Sequence, residues 1–545
     1  MTGTDLNKII PLVIIVYCVC AVFSTGYLHP DEHFQILEAA NFLVNGVWFK
    51  SWEWSAGMRS WFLPMIYAIP LIALKTIGIT SAAKIAMGLR FFTMCFAFIK
   101  LIFFYKILEI IFASRRTRLA VFSLYALFWH SPFLAVRTSS ENWGEIFIVI
   151  ALYFVLKSEK NDWNRRHSVQ SGVFAGLAFM ARFQMAIMFA GFAMVLILKK
   201  QWRSLLHLCA GFLLIFIFQG ILDLVFYGEW WAAPIHYANA NLFANGAAHY
   251  FGASPLGSYL AWFVLYFGGP IAIVFLIMAG RGLFDNHFIS VPAVLFVIVH
   301  CLLSHKEFRF LIPAFPFIYL LIGMGAQKYS WEKFSGKKYV ASGLIFLNFA
   351  LLAGLIHFRN VPIVSILNAA EDHAREHRLS KMTLLYESSK PRLFPVFYAS
   401  TPLKIFYSEN ADALEADGAL FEFDSTRPMT PPTPLNSPFP VLQTSFDSIR
   451  AIDDTSKLVM NDNYVPAREN YFSNIPEFYC IAPRKAVLKN SAKWNCENLY
   501  LDDRELQLWQ FVSKLHLSDY FAPRVGKEYI HALFFCRAKP RPVRA

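Results

Sequence analysis

The chain has 545 residues, of which 56% are hydrophobic and only 16% are charged, and its mean hydropathy is +0.43. A soluble globular protein of this length does not carry such an apolar excess, so the composition predicts a polytopic membrane protein. The formal net charge of +13 would suit a nucleic-acid partner. However, the Lys and Arg residues lie in short clusters between apolar runs, which is typical of cytoplasmic membrane loops and predicts no nucleic-acid partner.

Apolar segments follow one another along the first 358 residues. The first runs from Ile9 to about Tyr27, which is long enough, or nearly long enough, to cross a bilayer, and we interpret it as a retained helix. Several later segments are short or contain Pro and Gly, which predicts kinked or incomplete crossings. These later segments are residues 61–79, 85–112, 118–135, 143–156, 170–183, 185–198, 204–226, 258–279, 288–303, 308–326 and 339–358.

The basic clusters predict the orientation of the chain, because cytoplasmic loops are enriched in Lys and Arg. The clusters lie at residues 115–118, 157–166, 199–203 and 328–338. Counting apolar segments from these clusters predicts that the other polar stretches are exoplasmic, namely residues 137–142, 182–184, 227–257, 304–307 and those after His357.

The first loop, His29 to Ser60, should also be exoplasmic. An odd number of crossings must then lie between residues 61 and 112, where there are two apolar segments. Either one of these segments does not span, or the second folds back, and the sequence leaves both alternatives open.

A dense polar motif follows the first apolar segment. It reads His-Pro-Asp-Glu-His-Phe-Gln from His29 to Gln35, and Glu38 follows one helical turn later. Two adjacent acids, two imidazoles and an amide are too polar to anchor lipid, so they predict a functional site. For this loop alone, compensation of a helix dipole or of a nearby Arg explains the acid pair about as well as catalysis does.

Other chemistry-bearing residues lie in the loops assigned to the same side, although the counting did not use their identity. Arg182 interrupts an apolar run, where a charge costs roughly 3 kcal/mol even on low estimates, so we expect it to be functional. Lys306 and Arg309 could be ordinary membrane-flanking cations, but they lie where the positive-inside rule does not expect them. The remaining polar residues of this face are Trp52, Glu53, Trp54, Arg59, Ser60, Arg137, Glu141, Asn142, Gln184, His305 and Glu307.

Four tryptophans cluster in and beside the first loop. Because Trp is enriched at both membrane interfaces, we interpret them as an interfacial belt rather than as a platform for a sugar ring. They are Trp48, Trp52, Trp54 and Trp61.

These residues supply the parts that a group transfer needs. Asp31 or Glu32 can take a proton from a hydroxyl acceptor. Lys306, Arg309 and Arg182 can hold a phosphate as it leaves. A membrane site so equipped suits sugar transfer from a lipid phosphate to a hydroxyl. A secondary transporter is the alternative from a different class, but it would need pseudo-symmetric halves and polar groups at the midplane, and the sequence shows neither.

Five polar motifs follow one another over residues 25–320. They are His29-Pro30-Asp31-Glu32-x-Phe34-Gln35-x-x-Glu38, Trp52-Glu53-Trp54 with Arg59-Ser60 and Pro64, Asp223-x-x-x-Tyr227-Gly228, Gly252-x-x-Pro255 with Tyr259, and His305-Lys306-Glu307-x-Arg309-Phe310. In order and spacing they closely resemble the motifs of glycosyltransferase family 22. Within that family, the first motif is most similar to the third and fourth mannosyltransferases of glycosylphosphatidylinositol (GPI) assembly.

The resemblance implies a GT-C fold with about 11–13 transmembrane helices, a dolichyl or other polyprenyl phosphate mannose donor, and inversion to give an α-mannoside. It implies no required metal or cofactor. Asp31 matches the catalytic acid of the family's first exoplasmic loop, with Glu32 as the second candidate. We expect the donor phosphate to bind His305, Lys306, Arg309 and Arg182, and the lipid-linked glycan acceptor to bind His29, Gln35, Glu38, Trp52, Glu53, Arg59 and Arg137.

Two departures from the family pattern concern the acceptor. Arg182-Phe183-Gln184 stands where the GPI enzymes usually have Arg-Pro-Thr, and the usual Asn of the middle loop is displaced to Asn142. A GPI-precursor-type acceptor is the first interpretation, and a bacterial envelope glycan is the alternative. The chain contains no Asn-x-Ser/Thr sequon, so both the endoplasmic reticulum membrane with a lumenal site and a bacterial inner membrane with a periplasmic site remain open.

The sequence also predicts two domains. Residues 1–358 should form the transmembrane domain, with the catalytic loop at 28–60, and residues 359–545 a soluble exoplasmic α/β domain. Strand-like runs at residues 382–386, 404–407, 419–423 and 457–460 alternate there with helix-like stretches. The Pro-rich run Met429 to Pro440 predicts an exposed loop.

Overall fold

A computed structural model describes residues 4–243, 248, 252–329, 337–358, 362–387, 394–408, 419–424, 465–466, 477–483, 494–501 and 531–538. Helices account for the regular structure up to Glu376, and strands follow from Met382. The Pro-rich run predicted at Met429 to Pro440 lies outside the described residues.

The helices, in chain order, are α1 Thr4–Phe23, α2 Pro30–Glu32, α3 Glu38–Asn45, α4 Trp52–Ser55, α5 Phe62–Thr76, α6 Ala82–Ile111, α7 Arg115–Leu127, α8 Ser131–Ala135, α9 Ser140–Lys160, α10 Arg165–Ala181, α11 Ala186–Leu198, α12 Trp202–Tyr227, α13 Ala232–Ala238, α14 Ser258–Tyr266, α15 Pro270–Gly282, α16 His287–Leu302, α17 Phe315–Ala326, α18 Lys337–Phe358 and α19 Pro362–Glu376. Two π-helical turns, His33–Leu37 and Asn239–Phe243, and three 3₁₀ turns, Phe183–Met185, Phe308–Ala314 and Val396–Tyr398, complete the helical structure of the described chain.

Three stretches of the described chain stand out as membrane spans by length and composition. Trp202–Tyr227 and Phe308–Ala326 are each long and apolar enough to cross a bilayer alone, and α14 with α15 forms a third candidate that is bent by 113°. Gly268 and Gly269 provide this bend, because their φ angles of 87° and 63° lie in a region that favours glycine. Large apolar side chains such as Val225, 71% exposed, are what a lipid-facing surface requires.

Helix α5 packs against the first loop. Its N-terminal end follows Ser60, and near its C-terminal end Lys75 Nζ donates a hydrogen bond to Asn45 Oδ1, so both ends contact the first loop. Just beyond, the Thr80 carbonyl accepts a bond of 2.8 Å from Ser400 Oγ, which follows the last membrane helix. Of the two alternatives left open by the sequence, these contacts favour a non-spanning first segment, with α6 as the single crossing.

Besides the three candidate spans, the apolar segments of the sequence coincide with further helices of the described chain, and with α5 left out they allow eleven crossings. These crossings are α1, α6, α7, α9, α10, α11, α12, the bent pair α14 and α15, α16, Phe308–Ala326 and α18. The expected number of about 11–13 stays a prediction.

Close helix packing holds this bundle together. A Cβ atom added at Gly172 of α10 would lie 2.0 Å from the Leu208 carbonyl oxygen of α12, and one added at Gly211 would lie 2.2 Å from the Val169 carbonyl oxygen. Only glycine permits this approach, and small residues are the usual means by which membrane helices pack without a hydrophobic driving force.

A seven-stranded mixed sheet follows the helices. Its strands are β1 Met382–Glu387, β2 Leu403–Ser408, β3 Ala419–Asp424, β4 Val465–Pro466, β5 Glu477–Pro483, β6 Trp494–Leu501 and β7 His531–Ala538. Their order is β4-β3-β2-β1-β5-β7-β6, and β1 pairs in parallel with both β2 and β5. Strands β1 to β3 coincide with the first three strand-like runs of the sequence, and the fourth, at residues 457–460, lies outside the described residues. The division into domains at residue 358 stays a prediction.

Candidate active site

Three loops that are distant in sequence meet at one side chain. Arg309 donates from Nη2 to Asp31 Oδ2 at 2.7 Å, from Nη1 to Glu141 Oε1 at 3.0 Å, and from Nε to Glu307 Oε2 at 2.6 Å. These three carboxylates belong to loops that the charge pattern assigned to one side of the membrane. The guanidinium therefore joins them into a single cluster.

Asp31 is the most accessible carboxylate of this cluster, with 30% of its side chain exposed. Partial burial raises the pKa of Asp31, but Arg309, together with His29 and Arg59, outweighs that effect and holds the pKa well below its usual range. His29 lies beside it: Nδ1 accepts from the Asp31 N–H at 3.3 Å and Nε2 is 3.2 Å from Glu307 Oε2. Asp31 is thus ionised and faces a partly open space.

Glu32 lies in a different environment and is only 4% exposed. Its Oε2 accepts from the Leu28 N–H at 2.9 Å, and its Oε1 accepts from the Thr138 N–H and hydroxyl at 3.2 Å each. Arg137, 1% exposed, is 3.8 Å from the same carboxylate and donates to the Gly26 carbonyl at 2.8 Å. These contacts favour a role for Glu32 and Arg137 in joining two loops, and they favour Asp31 over Glu32 as the group that meets a substrate.

A second network extends along the first loop. Gln35 Nε2 donates to Glu53 Oε2 at 2.8 Å, and Arg59 donates to Glu53 Oε1. The Arg59 guanidinium also lies 5.5 Å from the centre of the ring of Tyr237 in α13, a residue that carried no sequence signal. Burial raises the pKa of Glu53. The Arg59 guanidinium offsets this rise only in part, and the Asp31 carboxylate adds to it.

The tryptophans of the first loop do not form a lipid-facing belt, contrary to the prediction. Trp48 is 1% exposed, Trp54 and Trp61 are 0% exposed, and the rings of Trp54 and Trp61 are 4.5 Å apart. Trp54 Nε1 also donates to the Phe34 carbonyl at 3.2 Å, which ties the cluster to the polar motif. Trp52 differs, since it is half-buried at the start of α4. The rings are buried by one another, and hydropathy alone does not report such packing.

Glu38 lies inside the protein, 0% exposed. Its oxygens accept from His33 Nε2 at 2.8 Å, from the Phe49 N–H at 2.9 Å and from the Phe397 N–H at 2.9 Å. Both carboxylate oxygens of Glu38 thus already accept hydrogen bonds from the protein. This favours a role in positioning the loop over the substrate contact that the sequence predicted.

The residues of the last motif are held by backbone carbonyls and by one another. Lys306, 5% exposed, donates from Nζ to the Ser254 carbonyl at 3.0 Å and to the Leu303 carbonyl at 2.5 Å. The Glu307 carboxylate raises the pKa of His305, whose Nε2 is 3.1 Å away. Burial raises the pKa of Glu307, but hydrogen bonds from His305 and Arg309 lower it to about 2. The Lys306 ammonium is thus directed to the loop backbone.

A polar cavity of about 30 Å³ adjoins the cluster and is lined by both Arg59 and Arg182. Arg182 is 7% exposed and donates from Nη1 to Glu141 Oε1 at 2.8 Å and to Ser140 Oγ at 3.1 Å. Its Nε and Nη2, like Arg59 Nε, are buried and meet no hydrogen-bond acceptor among the described residues. Two guanidinium groups with unused donors suit an anionic, oxygen-rich ligand. Gln35, Ser60, Ser140 and Gln184 also line this cavity.

Comparison with known sequences identifies the family. The sequence model of the Alg9-like mannosyltransferase family matches residues 9–387, which include every motif described above. The chain belongs to this family.

Individual relatives of this Alg9-like chain are distant. It is 25% identical to the mannosyltransferase APTG1 of Arabidopsis thaliana, over 56% of this chain and 55% of that protein. It is 25% identical to GPI alpha-1,2-mannosyltransferase 3 of Bos taurus, over 66% and 65%, and 26% identical to GPI mannosyltransferase 3 of Yarrowia lipolytica, over 69% and 74%. The match thus spans less than two thirds of the first two relatives.

The solved structures show the fold. ArnT from Cupriavidus metallidurans, in its crystal structure bound to undecaprenyl phosphate, superimposes with a TM-score of 0.57 over 98% of both chains at 10% identity. The predicted GT-C fold is confirmed, and with it an integral membrane protein.

Proposed function

We propose that this member of the Alg9-like mannosyltransferase family transfers mannose from a polyprenyl (dolichyl) phosphate mannose donor to a hydroxyl of a lipid-linked glycan. The observation that carries the proposal is the contact of 2.7 Å between Asp31 and Arg309, which joins a carboxylate base and a phosphate-binding cation that lie 278 residues apart in the sequence. The names of the relatives, two of which are GPI mannosyltransferases, support a GPI-precursor-type acceptor.

The donor phosphate is placed at the cavity between Arg59 and Arg182. These side chains have buried N–H groups without acceptors among the described residues. A phosphate oxygen there accepts hydrogen bonds from these groups and displaces no protein partner. Charge-assisted hydrogen bonds from guanidinium groups stabilise the charge that develops on a leaving phosphate. Arg309 is the third cation within reach, because Glu141 Oε1 links it to Arg182.

Asp31 acts as the general base. The acceptor hydroxyl attacks the anomeric carbon from the face opposite the phosphate, its proton passes to Asp31, and the bond from that carbon to the phosphate oxygen breaks to release polyprenyl phosphate. Single displacement of this kind inverts the anomeric carbon and gives an α-mannoside from a β-linked donor. As the phosphate draws Arg309 away from Asp31, the pKa of the carboxylate rises, which makes it a stronger base when the donor is bound.

The reaction faces the side of the membrane that the positive-inside rule assigns as exoplasmic. The proposed location is the lumenal face of the endoplasmic reticulum membrane, and the alternative is the periplasmic face of a bacterial inner membrane acting on an envelope glycan. Both place the site at the same end of the bundle.

The test is product formation by the purified full chain in lipid nanodiscs. The protein is given polyprenyl phosphate mannose or polyprenyl phosphate glucose with a panel of mannosylated GPI-precursor analogues and bacterial lipid-linked glycans. We expect an α-linked mannose product, from the mannose donor only. Transfer from the glucose donor at a similar rate, or no product with any lipid-linked glycan of the panel, contradicts the proposal.

A further inference from the structure

A short segment after β1 covers the catalytic loop. Residues 394–401, the docking segment, lie between β1 and β2 and beyond residue 387, where the match to the family ends. The side chains of residues 394–398 are buried: Phe394 is 1% exposed, Val396 2% and Tyr398 2%. Burial of this degree in a connection between two strands indicates a defined partner.

That partner is the polar motif of the first loop. The Phe397 N–H donates to Glu38 Oε1 at 2.9 Å, and the same oxygen is 2.8 Å from His33 Nε2. The second oxygen of Glu38 accepts from the Phe49 N–H at 2.9 Å. One buried carboxylate therefore ties the docking segment to the start of helix α3 and to Phe49 in the stretch that follows that helix.

Aromatic stacking holds the histidine from both sides. The His33 ring lies 5.1 Å from the Tyr27 ring and 5.4 Å from the Tyr398 ring, with interplanar angles of 24° and 19°. His33 is 0% exposed. His33 is thus enclosed by Tyr27, which lies in the loop after α1, on one face and by the docking segment on the other.

The enclosed residues define an unusual backbone turn. Residues His33–Leu37 form a π-helical turn in which the Glu38 N–H donates to the His33 carbonyl, five residues back. The wider turn brings the side chains of His33 and Glu38 into contact, which the α-helical spacing does not do at this separation. Single π turns are rare, and many of those that occur lie at functional sites. We therefore expect contacts from outside the turn to stabilise this one.

The far end of the docking segment is anchored independently. Ser400 Oγ donates to the Thr80 carbonyl at 2.8 Å, and Thr401 donates to Glu371 Oε1 from its N–H at 2.9 Å and from its hydroxyl at 2.8 Å. The segment therefore connects α19 to the loop that carries Asp31.

We propose that the docking segment positions the catalytic loop: Tyr398 and the Phe397 N–H hold His33 and Glu38 in the π turn, and the turn holds Asp31, two residues before His33, against Arg309. This inference rests on the proposed role of Asp31 as the base. Tyr398 makes no chemical step, so it is a positioning residue.

The test compares two variants of Tyr398 in the full-length protein. Tyr398→Ala removes the stacked ring and should lower kcat by at least ~10-fold, because a displacement of about 1 Å at a reacting group can cost ~10²-fold, while the KM for the donor stays within about twofold. Tyr398→Phe keeps the ring and should retain most of the activity. With Asp31 further from Arg309, its pKa rises, so the acid limb of the pH profile of Tyr398→Ala should move to higher pH.

Tyr479→Ala is the matched control, since Tyr479 of β5 is also buried, 1% exposed, and its hydroxyl is 2.8 Å from His373 Nδ1 of α19. A loss of kcat in this control as large as in Tyr398→Ala would show general destabilisation and overturn the proposal, as would unchanged kcat in Tyr398→Ala.

Amide hydrogen exchange tests the positioning without using activity. Exchange at residues 33–38 should rise at least ~10-fold in Tyr398→Ala and not in Tyr479→Ala, whatever reaction the protein performs. Unchanged exchange in Tyr398→Ala overturns the inference. Increased exchange in an enzyme that makes no mannose product contradicts the proposed function alone.

Discussion

Glu141 accepts a hydrogen bond on the same oxygen, Oε1, from Arg182 at 2.8 Å and from Arg309 at 3.0 Å. Two like-charged guanidinium groups are therefore held together by one buried carboxylate, 2% exposed. This pairing matters because Arg182 has unused donors at the polar cavity while Arg309 contacts Asp31. Glu141 therefore sets the distance between Arg182, which the proposed mechanism assigns to the donor phosphate, and Arg309, which contacts the proposed base.

We expect Glu141→Gln to raise the KM for the donor by about tenfold and to leave the KM for the acceptor nearly unchanged. A neutral amide oxygen attracts the two guanidinium groups less strongly, and the loss of one partner from a buried charge pair weakens what remains. Steady-state kinetics with each substrate varied in turn measures both constants. Glu159→Gln is the control, because Glu159 pairs with Lys199 at the opposite end of the bundle; an equal rise in donor KM there would contradict a specific role for Glu141.

Arg182 and Lys306 should differ in their effect on donor use. Arg182→Lys removes the planar donors that line the cavity, so kcat/KM for the donor should fall by ~10²-fold, since Lys does not replace a bidentate phosphate contact. Lys306→Ala should have a smaller effect on donor affinity, because its Nζ bonds two backbone carbonyls. Donor titration of both variants decides the matter, and a larger loss of affinity in Lys306→Ala than in Arg182→Lys would move the phosphate to the last motif.

The low pKa of Asp31 gives a pH prediction. A base must be deprotonated to act, so activity is lost as pH falls through its pKa, and Arg309 keeps the pKa of Asp31 well below the usual range of a carboxyl. Donor kcat/KM should therefore show no acid limb of Asp31 near neutral pH. Arg309→Gln removes the nearby cation, which raises the pKa of Asp31 and moves the acid limb of the residual activity upward. A limb that stays in place in this variant would show that Arg309 does not set the ionisation of Asp31.

The non-spanning assignment of α5 can be tested by chemical labelling. In a background without reactive native cysteines, Ser55→Cys and Thr80→Cys should both react with an impermeant reagent from the exoplasmic side, and Ser114→Cys only from the cytoplasmic side. The reason is that Thr80 contacts Ser400 while α6 carries the chain across. Labelling of Thr80→Cys from the cytoplasm would make α5 a crossing and separate the loops that build the site.

The sequence predicted that distant loops meet because the basic clusters indicate the membrane orientation of every loop. That argument did not use the identity of the polar residues in the exoplasmic loops. Arg182 could be singled out for a similar reason, since a charge inside an apolar run has a large desolvation cost. The role of α5 could not be decided, because hydropathy measures composition and α5 is as apolar as a spanning helix. The burial of Trp54 and Trp61, and the contacts of Tyr237 and Tyr398 with the first loop, arise from tertiary packing between distant parts of the chain, so no local pattern indicated them.

The central claim is that Asp31 takes the proton of the acceptor hydroxyl, and the turnover of Asp31→Asn tests it most directly. The variant keeps the size of the side chain and loses the base, so we expect kcat to fall by at least ~10²-fold while the protein keeps its thermal unfolding midpoint within a few degrees. Asp162→Asn, at an exposed turn after α9, is the matched control and should turn over normally. Near-normal turnover of Asp31→Asn under saturating donor and acceptor would contradict the account and assign the proton transfer to another group.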